Sequence, residues 1–233
     1  MPAPRNSRPL NPPAPSRLYE ETCARLALSE RQREQLQTYV QVLGKWQPRL
    51  NLIGPKTWAD VWDRHVVDSL QCLDHLGDAG SPTEGLQTST PPMFERGMAD
   101  IGTGAGFPGI VLAIATGQPV TLIESDQRKA AFQLAVKTAT GAPLTILTKR
   151  VESLPGQPLD RLFARAFAPL PRLLDWCAPL IDPATVLILH KGRTAEEEIS
   201  AAQQTHHFDT ESFPSLIDSD SVILRLRNVR PAR

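Results

Sequence analysis

The sequence has few of the features that mark secreted, membrane-spanning or metal-binding proteins. Its 233 residues include only three cysteines, Cys23, Cys72 and Cys177, and no C-x-x-C pair. This spacing argues against a zinc site and a disulfide framework, so we expect a reducing compartment and no bound metal. No apolar run reaches the roughly eighteen residues of a membrane-spanning helix, and the N-terminal residues lack the apolar core of a secretion signal. The expected location is the cytoplasm, away from membranes.

An excess of charge is also missing. The chain has 25 Lys and Arg residues against 25 Asp and Glu residues, which gives a net charge of zero. A protein that binds nucleic acid through bulk positive charge is therefore disfavoured, although local basic patches are compatible with this balance. Hydrophobic residues make up 41% of the chain, enough to bury the core of one α/β domain with an appendage.

The most informative segment reads Asp-Ile-Gly-Thr-Gly-Ala-Gly-Phe-Pro-Gly at positions 100–109. Its glycines at 102, 104 and 106 let the backbone turn sharply and approach a ligand where a Cβ atom would intrude. A strand is predicted before this segment, and a buried helix and a second strand after it. The second strand ends at Glu124, eighteen residues after Gly106. A carboxylate at that place can accept both hydroxyls of a ribose, so the unit predicts a nucleotide-like cofactor.

The spacing of the glycines distinguishes between two cofactors. A dinucleotide-binding loop prefers G-x-G-x-x-G, which directs a helix N-terminus at an anionic phosphate. Here Phe107 and Pro108 follow the third glycine and predict a rigid start to the next helix. The loop therefore favours S-adenosylmethionine, which has an adenosine and a sulfonium but no phosphate, and it disfavours a nicotinamide dehydrogenase.

The remainder of the core predicts a doubly wound α/β sheet of seven strands. Five parallel strands are expected at 98–101, 120–124, 144–147, 162–164 and 185–189, and a closing hairpin near 207–213 and 221–227. Sheets of this kind bind ligands at the carboxyl ends of their strands, where the strand order reverses. The residues that follow those strands are therefore the candidates for a site.

Composition divides the chain into four parts. Residues 1–17 hold six of the 22 prolines, three arginines and no acid, which predicts a disordered tail. Residues 18–76 carry apolar side chains at helical spacing, with a capping box at Ser29 and Gln32, which predicts a helical cap. Residues 77–97 are rich in turn-forming residues and predict a loop insertion. The core is expected at 98–233.

Several motifs together resemble the RsmG family, also called GidB. They are Leu50-Asn51-Leu52, Arg64-His65-x-x-Asp68-Ser69, the glycine segment, Arg150-Val151-Glu152, Arg165-Ala166-Phe167 and Lys191-Gly192. The resemblance covers about residues 20–227. It implies a class I, Rossmann-like methyltransferase that uses S-adenosylmethionine to methylate N7 of one guanine in the 530 loop of bacterial 16S rRNA. The implied partner is the 16S rRNA or the small ribosomal subunit, and we expect a monomer.

The resemblance also implies which residues contact the cofactor. They are Asp100, Gly102, Gly104, Gly106, Phe107, Glu124, Val151, Glu152 and Arg165. Glu124 would hold the ribose, Val151 and Glu152 would flank the adenine, and Arg165 would touch the methionine end. Two positions depart from the family pattern: Ile53 stands where a threonine is usual, and His190 stands where an aliphatic residue is usual.

The implied reaction needs positioning but no general base, because guanine N7 carries an in-plane lone pair and no proton. Arg165 and Lys191 are the expected catalytic residues, which would hold an RNA phosphate or the guanine O6. A structural ion pair is the alternative for both residues. RNA contacts are expected at Arg64, His65, Arg150, Lys191, Arg225 and Arg227.

Two of these expectations depend on local geometry. Arg225 and Arg227 would lie beside Arg150 if the last strand adjoins the third, and their alternative role is to protect an exposed strand edge by charge. Arg64 and Asp68 are four residues apart on a predicted helix, so we expect them to pair with each other.

Two other functions fit the same sequence. A methyltransferase for a small molecule or a protein would use the same cofactor pocket with a different acceptor. A neutral acceptor would bind without the salt dependence that is typical of RNA. A non-catalytic RNA-binding or ribosome-assembly factor would keep the fold but would not bind S-adenosylmethionine.

Overall fold

The computed structural model describes residues 8–76 and 96–232. The N-terminal region is helical, with α1 at Arg17–Arg25 and α2 at Glu30–Leu50. Leu36, Val40 and Leu43 form the buried face of α2, as their spacing requires. The predicted capping box at the start of α2 is confirmed.

A chain of short helical pieces follows α2. These are a 3-10 turn at Pro55–Thr57, a π-helical turn at Trp62–Val67, the short α3 at Asp68–Leu70 and a 3-10 turn at Gln71–His75. A single α-helix would have placed its side chains at a constant spacing. The π-helical turn changes that spacing and alters which side chains of this segment meet.

The rest of the described chain forms an α/β core with seven strands and four helices. The strands are β1 (Met98–Ile101), β2 (Val120–Ile123), β3 (Leu144–Leu147), β4 (Arg161–Arg165), β5 (Val186–Lys191), β6 (His206–Pro214) and β7 (Val222–Pro231). The helices are α4 (Gly109–Thr116), α5 (Gln127–Thr140), α6 (Leu170–Cys177) and α7 (Ala195–Ala202), and 3-10 turns lie at Val151–Ser153 and Ala178–Leu180.

The strands form one sheet in the order β3-β2-β1-β4-β5-β7-β6. The first five strands are parallel, and β7 is antiparallel to both β5 and β6. The prediction of a doubly wound, mostly parallel sheet is confirmed. The strand order reverses between β1 and β4, so this is the place where a ligand is expected.

Both faces of the central strands are buried, as is usual for parallel strands. In β4, Leu162 faces a core that contains α6 and α7, and Phe163 faces the core shared by the cap, α4 and α5. Gln32 and Gln35 of α2 donate side-chain hydrogen bonds to the backbone of Ala115 and Thr140, at 2.8 Å each. The cap therefore lies on the face of the sheet that α4 and α5 cover.

The structure differs from the prediction of a disordered tail at residues 8–16. Leu10 N donates to Gly44 O at 2.9 Å, and Trp62 Nε1 donates to Pro13 O at 2.9 Å. The tail approaches so closely that a Cβ atom at Gly44 would lie 2.4 Å from Leu10 O. Residues 1–7 of the predicted tail and 77–95 of the predicted insertion lie outside the described residues. No helix in the described ranges is long and apolar enough to cross a membrane.

Candidate active site

The glycine loop connects β1 to α4 at the point where the strand order reverses. Its three glycines have positive φ angles, at 61° for Gly102, 55° for Gly104 and 94° for Gly106. A Cβ atom at Gly102 would lie 2.1 Å from the ring of Phe167, and one at Gly106 would lie 2.2 Å from Ile110. The loop therefore depends on glycine for both its backbone conformation and its packing.

Asp100 lies under this loop and is fully buried. Its Oδ2 accepts hydrogen bonds from Thr103 Oγ1 at 2.6 Å and from Gly109 N at 2.9 Å, so one carboxylate links both ends of the loop. Burial raises the pKa of Asp100 to about 7, against the opposing effect of these hydrogen bonds. In the described residues Asp100 supports the loop, and its predicted contact with the cofactor stays a prediction.

Glu124 follows β2 and is held beside the loop. Its Oε2 accepts from Gly104 N at 2.9 Å, and its Oε1 accepts from Asp126 N at 2.8 Å. Gln133 Nε2 donates to Gly104 O at 2.9 Å, so both the N–H and the carbonyl of Gly104 are held by side chains. Each carboxylate oxygen has a further lone pair, so the fixed carboxylate can still accept ligand hydroxyls.

A first cleft brings together four of the residues predicted to bind the cofactor. It is lined by Gly102, Ile123, Glu124, Ser125, Lys149, Arg150, Val151, Glu152, Phe167 and Trp176. The rings of Phe167 and Trp176 meet edge to face at 5.7 Å between centroids. Sequence reasoning missed both aromatic residues as part of the site. Phe167 stands in the Arg165-Ala166-Phe167 motif, whereas nothing local marks Trp176.

A second cleft of about 230 Å³ adjoins the first and shares Gly102 with it. It is lined by Leu52, Ile53, His65, Gly102, Thr103, Gly104, Ala105, Phe107, Lys129, Arg165 and Ala166. The ring of Phe107 stacks on His65 at 5.0 Å between centroids and contacts Tyr39 at 5.2 Å. Because the cap supplies Leu52, Ile53 and His65, the core alone does not complete this wall.

Arg165, at the end of β4, is held by the cap. Its Nη1 pairs with Asp68 Oδ2 at 3.1 Å, and its Nη2 lies 3.0 Å from Arg64 O and 2.9 Å from His65 Nδ1. The predicted pairing of Arg64 with Asp68 is therefore wrong, since Arg64 pairs instead with Asp218 at 3.3 Å. The π-helical turn directs Asp68 into the interior and leaves Arg64 partly exposed.

His65 supports Arg165 as a neutral ring. Burial, together with the positive charges of Arg165 and Arg64, lowers the pKa of His65 to about 3. Thr57 Oγ1 donates to Gly54 O at 2.8 Å and lies 2.8 Å from His65 Nε2. We therefore assign the proton to Nε2, which donates to Thr57, and Nδ1 accepts from Arg165. The described contacts of His65 are internal, and its predicted contact with RNA stays a prediction.

A third cleft, of about 210 Å³, lies beyond Arg165. It is lined by Arg64, Asp68, Arg165, Ala166, His190, Lys191, Gly192, Ile217, Asp218 and Ser221. Ala166 has a φ of 52°, which turns the chain between Arg165 and Phe167, and both Arg165 and Ala166 also line the second cleft. The three clefts thus follow one another along the carboxyl ends of β3, β2, β1, β4 and β5.

Lys191 and the C-terminal arginines make internal ion pairs. Lys191 Nζ donates to Glu198 Oε2 at 2.7 Å and to Ala168 O at 2.8 Å, which supports the alternative of a structural role. Arg225 and Arg227 both pair with Glu211, at 2.7 and 3.2 Å. Their predicted place beside Arg150 is wrong, because β7 lies between β5 and β6, in the other half of the sheet from β3. For the same reason β7 is not an edge strand.

Comparisons with known proteins agree on one family. The family model for GidB, rRNA small subunit methyltransferase G, matches residues 32–222. A relative from Paramagnetospirillum magneticum, named "Ribosomal RNA small subunit methyltransferase G", is 38% identical over 214 residues, which cover 92% of this chain and 97% of the relative.

Solved structures with the same fold are more distant. Magnesium protoporphyrin IX methyltransferase from Synechocystis PCC 6803 with bound SAM has a TM-score of 0.54 at 18% identity and covers 86% of this chain and 98% of its own. The O-methyltransferase from Bacillus cereus in complex with SAH has a TM-score of 0.51 at 15% identity, with 91% and 97% covered. At these identities the likeness shows the fold alone.

Proposed function

Because this chain belongs to the rRNA small subunit methyltransferase G family, and is thus an rRNA methyltransferase with a class I fold, we propose that S-adenosylmethionine is its methyl donor and that guanine N7 is its target atom. It transfers the methyl group of S-adenosylmethionine to N7 of a single guanine in the 530 loop of 16S rRNA. The observation that carries this proposal is the row of three clefts that meet at Gly102 and Arg165.

The first two clefts fit the cofactor. Glu124 is fixed by two backbone N–H groups and would accept the ribose hydroxyls, while Val151 and Glu152 would flank the adenine. Gly102 lines both clefts, and Arg165 would contact the methionine end. The relatives of this fold that carry SAM or SAH support this assignment. When bound, the cofactor supplies an electrophilic methyl group on a sulfonium.

The protein's own contribution is to position the acceptor base. Guanine N7 has no proton to lose, so in-line placement of N7 and the methyl carbon is the main requirement. The methylated base gains a positive charge, which an isolated arginine would repel. Asp68 offsets the charge of Arg165 at 3.1 Å, and the neutral His65 adds none. Arg165 can therefore hold a guanine or phosphate oxygen beside a base that becomes cationic.

The proposed partner is 16S rRNA, either naked or within the small ribosomal subunit, and we propose a monomer that acts in the cytoplasm. Arg64 and Arg150 line the clefts with side chains that are 45% and 77% exposed, so they are the proposed phosphate contacts. Lys191 and Arg225 have side chains that are only 8% and 17% exposed, and Arg227 is not among the residues that line the three clefts, which leaves them less suited to this role.

The direct test uses purified protein, methyl-labelled S-adenosylmethionine and 16S rRNA or small subunits from cells that lack this modification. We expect label at N7 of one guanine in the 530 loop. Gly102→Val should abolish methyl transfer, because the new side chain would clash with the Phe167 ring. Arg165→Ala should abolish it, because the variant loses the guanidinium group that lines both the second and the third cleft.

Arg17→Ala is the matched control, because the side chain of Arg17 is 92% exposed and lies outside all three clefts. Label on a small molecule or a protein but on no RNA would favour a different acceptor. Failure to bind S-adenosylhomocysteine in calorimetry would instead favour a non-catalytic RNA-binding factor.

A further inference from the structure

The third cleft contains an acidic side chain, Asp218, that has no role in the proposed methyl transfer as described above. Asp218 lies in the turn between β6 and β7, and its Oδ2 pairs with Arg64 of the cap at 3.3 Å. Its Oδ1 accepts a hydrogen bond from Asp220 N at 3.0 Å, which holds the carboxylate within the turn. The side chain of Asp218 is 34% exposed and lines the third cleft together with residues at the carboxyl ends of β4 and β5.

The other carboxylate in this cleft, Asp68, is already occupied. Its Oδ1 accepts from Gln71 Nε2 at 2.7 Å, and its Oδ2 pairs with Arg165 at 3.1 Å and lies 3.6 Å from His190 Nε2. Only 12% of its side chain is exposed. Asp218, which has a single long contact on Oδ2, is therefore the carboxylate that can accept hydrogen bonds from a ligand.

The chemistry of guanine indicates what such a carboxylate would bind. N7 and O6 are acceptors on one edge of the base, which suits the donors of Arg165 next to the cofactor. When that edge faces the methyl donor, the adjacent Watson–Crick edge presents N1–H and the N2 amino group, two donors that match one carboxylate. Adenine presents an acceptor at N1 instead, which a carboxylate repels.

We propose that Asp218 binds the Watson–Crick edge of the target guanine and thereby makes the enzyme select guanine over adenine. This inference rests on the proposed function and adds a specificity-determining residue to it. Arg64 pairs with the Asp218 carboxylate and so helps to hold it in place.

The test compares RNA substrates that differ only at the target base. Inosine lacks the N2 amino group of guanosine but keeps N7, O6 and N1–H. We expect wild-type protein to methylate the guanosine RNA about 10- to 100-fold faster than the inosine RNA, the range for one hydrogen bond to a charged group. In Asp218→Ala this preference should fall to within about twofold, because the accepting group is gone.

Asp220→Ala is the matched control. It removes the neighbouring acid, which pairs with Arg193 and does not line the cleft, and it keeps the backbone N–H that donates to Asp218. This variant should keep the preference for guanosine. Where transfer by Asp218→Ala is too slow to time, competition of the two RNAs for binding in the presence of S-adenosylhomocysteine measures the same ratio.

An unchanged preference in Asp218→Ala would overturn the role of Asp218 and leave the methyltransferase proposal intact. Loss of the preference in Asp220→Ala as well would also overturn it, because disruption of the turn would then explain both results. Absence of methyl transfer to any RNA by wild-type protein would contradict the proposed function itself.

Discussion

Asp100 and Arg165 are two charged side chains whose surroundings decide what the site can do. Arg165 is balanced by Asp68 and by the neutral ring of His65, so its donors are held in place without a free positive charge. Asp100 makes no ion pair within residues 8–76 and 96–232. Its carboxylate is fully buried under the glycine loop and accepts only from a hydroxyl and a backbone N–H.

This burial predicts that Asp100 makes stability depend on pH. The pKa of Asp100 is raised to about 7 in the folded protein from 3.8. The folded state therefore holds a proton that the unfolded state releases between these values, and the stability present at acidic pH is lost as pH rises toward 7. Asp100→Asn keeps an acceptor but cannot ionise. We expect the free energy of unfolding of wild type to fall relative to this variant between pH 4 and 7.

Urea unfolding of both proteins across pH 4 to 8 provides the measurement. Other titrating groups are common to both proteins and cancel in the difference. A difference that stays constant over this range would show that Asp100 is ionised or protonated equally in both states, contrary to the prediction.

At the scale of elements, the glycine loop and the turn after β4 are packed against each other. Gly102 follows β1 and Phe167 follows β4, so the two meet where the strand order reverses. The turn at Ala166, with its positive φ, sends Arg165 to the second and third clefts and Phe167 to the first. Packing of two loops from adjacent strands therefore shapes all three clefts.

This packing predicts a coupled effect of substitutions at Gly102 and Phe167. Gly102→Ala should destabilise the protein, because the new Cβ atom would lie 2.1 Å from the Phe167 ring at a φ of 61°. Gly117→Ala is a matched control, since Gly117 has a φ of 67° but nothing within 4 Å of its Cβ position. We expect Gly102→Ala to cost about 1 to 3 kcal/mol more than Gly117→Ala.

Adding Phe167→Ala should recover part of that difference, so the double variant should be less destabilised than the sum of the single variants. Urea unfolding measures all four proteins. Strict additivity would mean that the ring moves aside without cost and that the two loops are not tightly packed.

At the scale of the whole molecule, zero net charge restricts how the protein can hold RNA. Many of its basic side chains are paired with acids of the protein itself, among them Arg225, Arg227 and Lys191. Arg150 borders the first cleft with a side chain that is 77% exposed, and its pairing with Glu152 is long, at 3.9 Å, so it is the proposed phosphate contact. Binding of RNA should thus involve few phosphates and depend on the shape of the site.

This arrangement predicts a modest salt dependence that single variants change measurably. Arg150→Gln should reduce the slope of log affinity for 16S rRNA against log salt concentration by about 0.7 to 0.9, the contribution of one phosphate contact. Arg17→Gln removes a charge whose side chain is 92% exposed and lines none of the three clefts, so it should leave the slope unchanged. Filter binding at several salt concentrations gives both slopes. An equal effect of the two variants would place the RNA elsewhere on the surface.

Local sequence determined most of the fold. The expected strands near 98–101, 120–124 and 144–147 agree with β1, β2 and β3, because apolar runs bounded by turn residues specify strands over a few positions. The glycines at 102, 104 and 106 could also be predicted from the local sequence, because the positive φ angles of the loop favour glycine. Glu124 could be predicted because it directly follows a strand.

Tertiary structure alone decided the partners of the site residues. Asp68 meets Arg165 rather than Arg64, Trp176 reaches the first cleft, and β7 pairs with β5 in the other half of the sheet from Arg150. Each of these contacts joins segments that are distant in sequence, so it depends on strand order and packing and leaves no periodic pattern. The sequence by itself thus determined the glycine loop and the fold around it, whereas only the folded chain brought Arg165, Asp68 and Asp218 together around the third cleft, because these residues come from segments distant in sequence.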